Sequence, residues 1–428
     1  MKVLIISNNS LSVSSNNGKT LNSIFSFFEQ HEVCQLYFHS GEEPTSTVCR
    51  SFFRLSLKDS ILNWIKPTEK RAVLPNTKNL CHSRPVKEKL IPANNSIIYP
   101  ILMIWRDLLW SFSRWYSSNL MEWLSIEKPT IVFFLAGNTG FTHTIAVKIS
   151  RVLEIPLAIY FTDDYLLFPI KRNIIDTVFH YHLEKKYQRS LSISTMRFTI
   201  GEYMADEYSR YFNKTFTPIM NCVEVEEGRA PLANTKKSIK IVYFGGLHLG
   251  RADMILRFAI VLSSISKKYF IDVSLSIYSS SHISDSVKRM FEINNINYNR
   301  AVPSEQIPEI SKNFDCFLHV ESDEMYFRSL TRLSVSTKIP EYLSLFRPII
   351  AFGPLEVASM RILSDNNIGL TISSAKEDVE IESILYEFFA NYKHRQQKAI
   401  DGLKYAMDIF DRKKVAYGFR SQLLQLDA

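Results

Sequence analysis

Two glycines and an arginine follow an apolar run in the stretch KIVYFGGLHLGRADM, residues 240–254. Gly245 and Gly246 stand where a strand would end, and a residue without a Cβ lets a ligand approach the backbone closely. Arg251 can then offer its guanidinium fork to a phosphate. A simple turn would account for the two glycines equally well. The stretch therefore indicates either a phosphate-binding loop or an ordinary turn.

A second polar group begins a helical pattern in SVSTKIPEYLSLFRPIIAFGP, residues 334–354, with a helix predicted over 338–345. Ser336 and Thr337 are of the type that caps a helix, and the free N–H groups there favour an anion. Lys338 adds a full positive charge at the same end. Glu341 suits hydrogen bonds from a ribose diol, although a first-turn carboxylate also interacts favourably with the helix dipole alone. The pattern predicts an anion-binding helix start with a carboxylate beside it.

The N-terminal loop VSSNNGKT, residues 13–20, resembles a P-loop only in part. A P-loop needs an earlier glycine in its GxxxxGK pattern, because the backbone turns sharply beneath the phosphate there. Val13 occupies that position, which disfavours an ATPase or kinase. Gly18 and Lys19 remain in a polar loop between an apolar run and an amphipathic helix, which is typical of the start of an α/β nucleotide fold.

Short continuous apolar runs recur along the chain with helical stretches between them, as a parallel sheet covered on both faces requires. The pattern restarts after the polar stretch 223–238, so we predict two Rossmann-like α/β domains facing each other across a cleft. The first would span residues 1–222, the linker 223–238 and the second domain 239–400, with helices at 401–428 that pack back on the first domain. A length of 428 residues also favours two domains.

Composition and charge exclude several classes of protein. The hydrophobic content of 46% is that of a globular chain, and the five cysteines are scattered without CxxC spacing, which disfavours disulfides and structural zinc. We find no signal peptide and no stretch of about 20 apolar residues, so we expect a cytoplasmic protein. No nucleic-acid reading module is recognised.

Basic and aromatic residues concentrate in the segment 58–124. Residues 58–89 contain eight basic and three acidic side chains, and four of the five tryptophans lie in 101–124. Apolar residues follow helical spacing through that second part: Ile101, Trp105, Leu108, Phe112, Tyr116, Leu120 and Trp123. The segment is consistent with contact to an anionic membrane surface, or with a core-packed helix beside a solvated basic loop.

The stretch TKIPEYLSLFRPIIAFGP closely resembles the nucleotide-sugar-binding segment of GT-B-fold glycosyltransferases of the family-4 type. YFGGLHLGR is similar to their phosphate-binding loop, SSNNGKT to their N-terminal glycine-containing loop, and PLAIYFTDDYLLFP to the strand and loop of the acceptor side. The resemblance covers most of the chain. It implies transfer of a sugar from a nucleotide-diphosphate sugar to an acceptor hydroxyl in bacterial surface-polysaccharide synthesis, on an acceptor at the membrane.

The resemblance also implies roles for individual residues. Gly18, Lys19, Gly245, Gly246, Arg251, Ser336, Thr337, Lys338 and Glu341 would bind the donor. Asp163 or Asp164 would orient or deprotonate the acceptor hydroxyl, unless either carboxylate only caps a loop. His143 is interpreted as a capping or packing residue, with catalysis as the alternative. The chain has no Asp-x-Asp pair, so we expect no cofactor and no metal; Arg251 and Lys338 would instead meet the charge of the leaving diphosphate.

One position departs from the family. Members that retain anomeric configuration carry an earlier glutamate in register with Glu341, and this chain has Leu333 there. The earlier glutamates Glu321 and Glu324 do not have the expected spacing. The stereochemical outcome therefore stays open, and so do two alternatives to a transferase: a non-catalytic nucleotide-sugar-binding subunit and a sugar-nucleotide epimerase on the same fold.

Overall fold

The computed structural model describes residues 1–12, 16–39, 44–62, 98–167, 173–225 and 238–427. The chain divides into two compact units, Met1–Cys222 with Arg412–Ala428, and Val223–Asp411. Each unit is built on its own parallel β-sheet with helices between the strands, which confirms the predicted α/β class. Of the predicted linker, residues 226–237 lie outside the described residues.

The first unit holds a seven-stranded sheet among its described residues, in the order β3-β2-β1-β4-β5-β6-β7. Every side chain of the central strand β1 is buried, because helices cover both faces of the sheet. Its elements are β1 (Val3–Ser7), α1 (Asn16–Ile24), β2 (Val33–Tyr37), β3 (Ser51–Arg54), α2 (Leu57–Leu62), α3 (Ile98–Phe112), α4 (Ser118–Glu127), β4 (Ile131–Ala136), α5 (Gly140–Leu153), β5 (Leu157–Phe161), α6 (Ile174–Ile193), β6 (Met196–Thr199), α7 (Glu202–Phe212) and β7 (Thr217–Pro218).

The second unit repeats the winding with six described strands, in the order β10-β9-β8-β11-β12-β13. Its core runs along β8, α8 and β11, with Tyr243, Phe258 and Leu318 almost fully buried. Its elements are β8 (Ser238–Phe244), α8 (Arg251–Tyr269), β9 (Asp272–Ser279), α9 (Asp285–Ile293), β10 (Ile296–Arg300), α10 (Ile307–Ser311), β11 (Cys316–Val320), α11 (Met325–Thr331), α12 (Lys338–Ser344), β12 (Ile349–Gly353), α13 (Ala358–Asp365), β13 (Leu370–Ser373), α14 (Asp378–Ala390), α15 (Tyr392–Tyr405) and a π-helical turn (Ala406–Phe410).

The last helix, α16 (Arg412–Asp427), belongs to the first unit. Its Phe419 ring is fully packed, with the rings of Phe25, Phe133 and Phe198 at centroid distances of 5.1, 5.5 and 5.7 Å. Arg420 on the same helix donates to Glu32 at 2.7 Å. The aromatic contacts bury a large apolar area, so α16 is a structural part of that unit.

The predicted single stripe across residues 101–124 is wrong. The helix α3 ends at Phe112, and a separate helix α4 begins at Ser118. Leu120 and Trp123 of the stripe are buried, whereas Trp105 and Phe112 are exposed, so only part of the stripe faces solvent. Most of the basic stretch, residues 63–97, lies outside the described residues. Among the described helices, none has both the length and the apolarity needed to cross a bilayer.

The predicted loop at the N-terminus is shorter than expected. The helix α1 begins at Asn16, so Gly18 and Lys19 lie in its first turns and not in a loop. The carbonyl of Gly18 accepts a hydrogen bond from the Asn22 side chain at 2.8 Å. Residues 13–15, which include the place of the missing P-loop glycine, lie outside the described residues.

Candidate functional site

The strand order of the second unit identifies the edge at which a ligand would bind. β8 is followed along the chain by β9 on one side, and β11 lies on its other side, so the winding reverses between β8 and β11. Helices and loops diverge at such a point and leave room at the carboxyl ends of the strands. Here β8 ends at Phe244, before Gly245, and β11 ends at Val320, before Glu321.

Lys338 lies directly against Gly245. The φ of +142° at Gly245 disfavours any other residue, and a Cβ there would also meet Nζ and Cε of Lys338. The ammonium lies 4.9 Å from the centroid of the Tyr243 ring, a cation–π contact. The backbone conformation is therefore the reason for a glycine here, because the end of a lysine side chain could move aside.

Arg251 is the first residue of α8, and Gly250 precedes it in the left-handed conformation, with φ of +72°. The guanidinium donates through Nη2 to Glu321 Oε2 at 3.3 Å and through Nε to the Val320 carbonyl at 3.3 Å. A Cβ on Gly250 would collide with Ser322 Oγ, so the glycine allows the loop after β11 to pack against the start of α8. Arg251 thus joins the start of α8 to the end of β11.

Glu321 is the buried centre of this cluster, with a side chain only 3% exposed. Its Oε1 lies 3.2 Å from Nε2 of His319, and its Oε2 accepts from Arg251. Burial alone would raise the pKa of Glu321, but Arg251, His319 and Lys338 outweigh it and lower that pKa to about 2. The carboxylate is therefore ionised at neutral pH. Burial alone would likewise lower the pKa of Arg251, and Glu321 keeps it above its ordinary value.

Charges of both signs meet at this edge. Arg251 and Lys338 carry two positive charges and act electrostatically on Glu321, and Glu341 adds a second carboxylate in the first turn of α12. The two cations lie beside the strand ends, where a ligand of this fold would bind. The arrangement is chemically suited to an anion such as a diphosphate.

The other predicted donor residues of this unit surround Lys338. Helix α12 begins at Lys338 itself, where the predicted helix begins, with Thr337 before it. The Ser336 hydroxyl accepts from the Lys338 N–H at 3.4 Å, and Glu341 lies in the first turn of the helix. All four side chains are partly exposed.

Tyr342 fixes this helix to the end of β8. Its hydroxyl contacts both the N–H of Phe244, at 3.0 Å, and the carbonyl of Phe244, at 3.2 Å. Its ring stacks on Phe317 of β11 at a centroid distance of 4.2 Å. The first turn of α12 is thereby held at the strand ends, which is why residues almost a hundred positions apart in sequence meet there.

Gly246 has a different environment from Gly245. A Cβ on Gly246 would collide with the imidazole of His248, and its carbonyl accepts from the Tyr243 hydroxyl at 2.7 Å. The structure therefore brings Gly245, Arg251 and Lys338 together around Glu321, and places Gly246 next to His248.

Glu321 is the residue of this cluster that the sequence pattern does not predict. Its spacing from Glu341 argues against a role, whereas its position directly after the predicted strand Cys316–Val320 is the useful signal. Leu333, at the place of the expected glutamate, is 2% exposed and belongs to the core. A charged side chain at that position would be buried in the same core.

Asp164 in the first unit is enclosed and hydrogen-bonded. It is fully buried, and its Oδ1 accepts from the N–H groups of Leu166 and Leu167, at 3.0 and 2.9 Å, and from the Tyr208 hydroxyl at 3.0 Å. The contacts close the turn after β5 and tie it to α7. They match the loop-capping alternative for this aspartate better than contact with a substrate.

Asp163 is only half-buried, and Thr162 donates to its Oδ2 at 3.2 Å. Asp163 also raises the pKa of the neighbouring Tyr165, as the strongest of several causes that include burial. A partly exposed carboxylate beside tyrosine hydroxyls at a strand end can accept a proton or orient a hydroxyl group. Of the two predicted aspartates, Asp163 is therefore the more accessible one.

His143 is a packed residue of α5. Its Nδ1 lies 2.9 Å from Ser190 Oγ, and its ring stacks on Tyr187 at 4.5 Å. Burial is the main cause that lowers the pKa of His143 to about 3, so the imidazole is neutral at physiological pH. The packing interpretation fits these contacts. Within the described residues, no group of three or more His, Cys, Asp or Glu side chains is arranged to hold a metal ion.

No family model matches the chain, and no curated protein matches it in sequence. Solved structures do match its fold. A sucrose-phosphate synthase from Thermosynechococcus elongatus has a TM-score of 0.64 at 9% identity, covering 99% of this chain and 98% of its own. A structure of trehalose-6-phosphate from E. coli bound with UDP-2-fluoro glucose has 0.60 at 9% identity, covering 100% and 99%.

An α,α-trehalose-phosphate synthase (UDP-forming) from Burkholderia vietnamiensis gives a TM-score of 0.58 at 9% identity, covering 100% of this chain and 97% of that one. These matches span essentially the whole of each chain, although the identity is far too low to indicate a shared substrate. Together with the two parallel-sheet units, they show that the chain has the fold of the GT-B glycosyltransferases.

Proposed function

We propose that this chain is a glycosyltransferase that moves a sugar from a nucleotide-diphosphate sugar to an acceptor hydroxyl. The single observation that carries the proposal is the cluster at the carboxyl ends of β8 and β11. There the Lys338 side chain lies against Gly245, and Arg251 donates a hydrogen bond to Glu321. The fold supports it, since the E. coli neighbour is bound with UDP-2-fluoro glucose and the Burkholderia neighbour is named as UDP-forming.

The chemistry of the step fits the charges of the cluster. When the bond between the sugar and the diphosphate breaks, negative charge grows on the departing oxygen, and fixed positive groups lower the energy of that transition state. Arg251 and Lys338 supply two such groups, and Gly245 leaves space for the lysine side chain beside the strand end. Arg251 is already oriented by two acceptors, so it would lose little side-chain freedom on binding.

The start of α12 would hold the rest of the donor. Glu341 is proposed to accept hydrogen bonds from the ribose hydroxyls, and Ser336 and Thr337 to contact the diphosphate near the first N–H groups of the helix. Gly246 has no side chain, so the diphosphate could approach the backbone closely there. The donor is proposed to be bound without a metal or other cofactor, because Arg251 and Lys338 can neutralise the diphosphate directly.

The acceptor is proposed to meet residues of the first unit. Asp163 would take the proton of the acceptor hydroxyl, and Asp164 would hold the turn on which Asp163 stands. Gly18 and Lys19, at the start of α1, are proposed as further donor contacts. The retaining or inverting outcome stays undecided, because Leu333 occupies the place of the family glutamate.

For the biological role, we propose assembly of a bacterial cell-surface polysaccharide, such as O-antigen, capsule or exopolysaccharide. The acceptor would be a saccharide or a lipid-linked saccharide, presented at the cytoplasmic face of the membrane. The family-4 resemblance of TKIPEYLSLFRPIIAFGP supports this assignment.

A thermal-shift screen against UDP-, GDP- and dTDP-sugars tests the donor. A ligand that binds only the native state raises its stability with ln(1 + [L]/Kd), so one class of nucleotide sugar should raise the melting temperature. At donor concentrations near the wild-type Kd, Lys338→Ala and Glu341→Ala should each abolish the shift while the free protein keeps its fold. Lys288→Ala and Glu292→Ala, on the exposed face of α9, are matched controls that should show the same thermal shift as the wild type. A full shift in both site variants would contradict the donor site.

A non-catalytic nucleotide-sugar-binding subunit is the second candidate, favoured by the apolar Leu333. It would give the same thermal shift but would release no free nucleotide diphosphate. A sugar-nucleotide epimerase would convert the donor without acceptor and without net hydrolysis. Chromatography of the nucleotide products, with and without a saccharide acceptor, therefore separates all three.

A further inference from the structure

Helix α3 has an exposed face made of large apolar side chains. Ile98, Trp105 and Phe112 are 60%, 60% and 76% exposed, and Leu102, Leu108 and Leu109 are also more than two-fifths exposed. The two charged residues of this helix do not share that face, because Asp107 is buried and Arg106 lies over the Phe141 ring at 5.3 Å. A surface helix of a water-soluble domain normally presents charged side chains to the solvent. An exposed face of large apolar side chains is instead typical of a surface that contacts another apolar surface.

Helix α6 exposes a second apolar row. Ile174, Val178 and Tyr181 are 82%, 51% and 59% exposed and lie at helical spacing on one side. Further along that side, Lys185 and Arg189 are exposed, and Lys185 Nζ lies 4.5 Å from the centroid of the Tyr181 ring. The outer side of α6 thus changes from apolar to basic along its length.

The two helices are neighbours in the first unit. Asp107 of α3 pairs with Nε2 of His182 of α6 at 3.1 Å. Trp110 of α3 stacks on Phe141 of α5 at 4.6 Å, and Leu183 and Tyr187 of α6 are fully buried. Each helix therefore turns its inner side towards α5 and the sheet, and each leaves its outer side exposed on the first unit. We call the exposed residues of α3 and α6 the α3–α6 face.

The charges of the α3–α6 face have one sign. Within these two helices, its exposed ionisable residues are Lys185 and Arg189, and both are cations. On α6, Asp176 is buried, and Glu184 is half-buried and accepts from the Tyr211 hydroxyl at 2.6 Å. A second copy of the same face would bring these cations towards their own counterparts across a two-fold axis, which disfavours self-association.

We propose that the α3–α6 face binds the surface of an anionic lipid bilayer. Trp105, Phe112 and Ile174 would enter the boundary between headgroups and acyl chains, and Lys185 and Arg189 would meet lipid phosphates. Tryptophan and tyrosine favour that boundary because each has an apolar ring and a polar atom. The proposal stands on exposure and charge in the first unit, so it does not depend on the transferase assignment.

Vesicle sedimentation of the full chain tests the apolar part. We expect binding to vesicles of phosphatidylcholine with phosphatidylglycerol at low salt, and weaker binding to phosphatidylcholine alone. The double variant Trp105→Ser with Phe112→Ser should lower the partition coefficient by about 100-fold, because each large side chain contributes on the order of tenfold. The matched control, Phe270→Ser with Ile293→Ser, removes two apolar residues of the second unit that are 91% and 73% exposed, and it should leave vesicle binding unchanged.

A second pair of variants tests the charges. Lys185→Gln with Arg189→Gln should lower binding by about fivefold per charge, in anionic vesicles only. Lys288→Gln with Arg289→Gln makes the same change in net charge on α9 and should keep wild-type binding. Brominated lipids should quench part of the tryptophan emission of the wild type, and Trp105→Phe should lose that part while keeping the binding.

Three outcomes would overturn the proposal: equal binding by wild type and Trp105→Ser/Phe112→Ser, an equal loss in the control pairs, or no vesicle binding by the wild type. If vesicles are not bound and ultracentrifugation shows a dimer that Trp105→Ser/Phe112→Ser dissociates, the face is an interface between copies of this chain. Circular dichroism and melting temperatures of all variants should match the wild type, since the changed residues are exposed.

Discussion

The two sheets of this protein carry carboxylates at their carboxyl edges, but they use them in opposite ways. In the second unit, Glu321 is buried after β11 and holds Arg251, with Lys338 nearby. In the first unit, Asp164 is buried after β5 and accepts from two backbone N–H groups and the Tyr208 hydroxyl. One carboxylate orients a cation, and the other closes a turn.

The difference lies in what surrounds each acid. Glu321 is partnered by charged side chains, so its negative charge holds positive groups at the strand ends. Asp164 is partnered by neutral donors, and the neighbouring Asp163 stays half-exposed. A buried carboxylate at a strand end therefore indicates a binding edge only when its partners carry charges that can reach a ligand.

Removing Glu321 should have the largest effect on stability. In Glu321→Ala, Arg251 would stay buried without its carboxylate, and breaking such a pair costs about 3–5 kcal/mol. Because the tryptophans all lie in residues 1–222, unfolding of the second unit should be followed by hydrogen exchange of the β8 and β11 amides. Glu305→Ala, at an exposed position, serves as the control. Equal protection in both variants would show that Glu321 is not the anchor of this edge.

The same carboxylate should make this edge sensitive to acid. Its pKa is lowered from 4.5 to about 2, so the stability it provides is complete above about pH 4.5 and is lost as the pH falls towards about 2. The loss should reach roughly 3 kcal/mol when Glu321 is fully protonated. Urea unfolding over this pH range, compared with Glu321→Gln, should show the difference between the two proteins narrowing in acid. A constant difference would contradict the charged cluster.

Asp164 and Asp163 should separate structure from activity in the first unit. Asp164→Ala removes the acceptor of three hydrogen bonds and should lower the free energy of unfolding by about 3 kcal/mol. Asp163→Ala should cost less than about 1 kcal/mol but stop most sugar transfer. Tryptophan fluorescence in urea measures the first quantity, and a transfer assay the second. If Asp163→Ala lowered the free energy of unfolding and left sugar transfer intact, Asp163 would have no part in the proposed reaction.

Lys338→Ala should weaken donor binding while the fold stays intact. Losing one charged contact to the diphosphate should raise the donor Kd by about 10- to 100-fold. Calorimetric titration with the nucleotide sugar that gives the largest thermal shift measures this Kd. Lys312→Ala, an exposed lysine of the same unit, should bind as the wild type does.

Glu341→Gln should have the smallest effect. An amide oxygen can still accept from a ribose hydroxyl, but with a weaker bond, so the donor Kd should rise by about fivefold. A deoxyribose nucleotide sugar offers fewer hydroxyls and should show less difference between the wild type and this variant. Equal losses with both donors would place Glu341 away from the sugar of the nucleoside.

The α/β class and most strands follow from residue types along the chain. Buried parallel strands must be apolar throughout, so runs such as Val3–Ile6 and Leu157–Phe161 were readable locally. Gly245 and Arg251 were indicated because they follow a buried strand, and Lys338 because it adds a positive charge at a helix start; both are typical of phosphate-binding edges. The break between α3 and α4 was missed, since helical spacing continues across short turns in the sequence.

Which of these residues lie together depends on contacts between distant parts of the chain. Glu321 meets Arg251 because β8 and β11 are adjacent in the sheet, a pairing between residues seventy positions apart that spacing along the chain does not reveal. The burial of Asp164 and the exposure of Trp105 are likewise set by packing against other helices. Local residue types set what each element can be, whereas long-range pairing sets the neighbours and charges that give a side chain its chemistry.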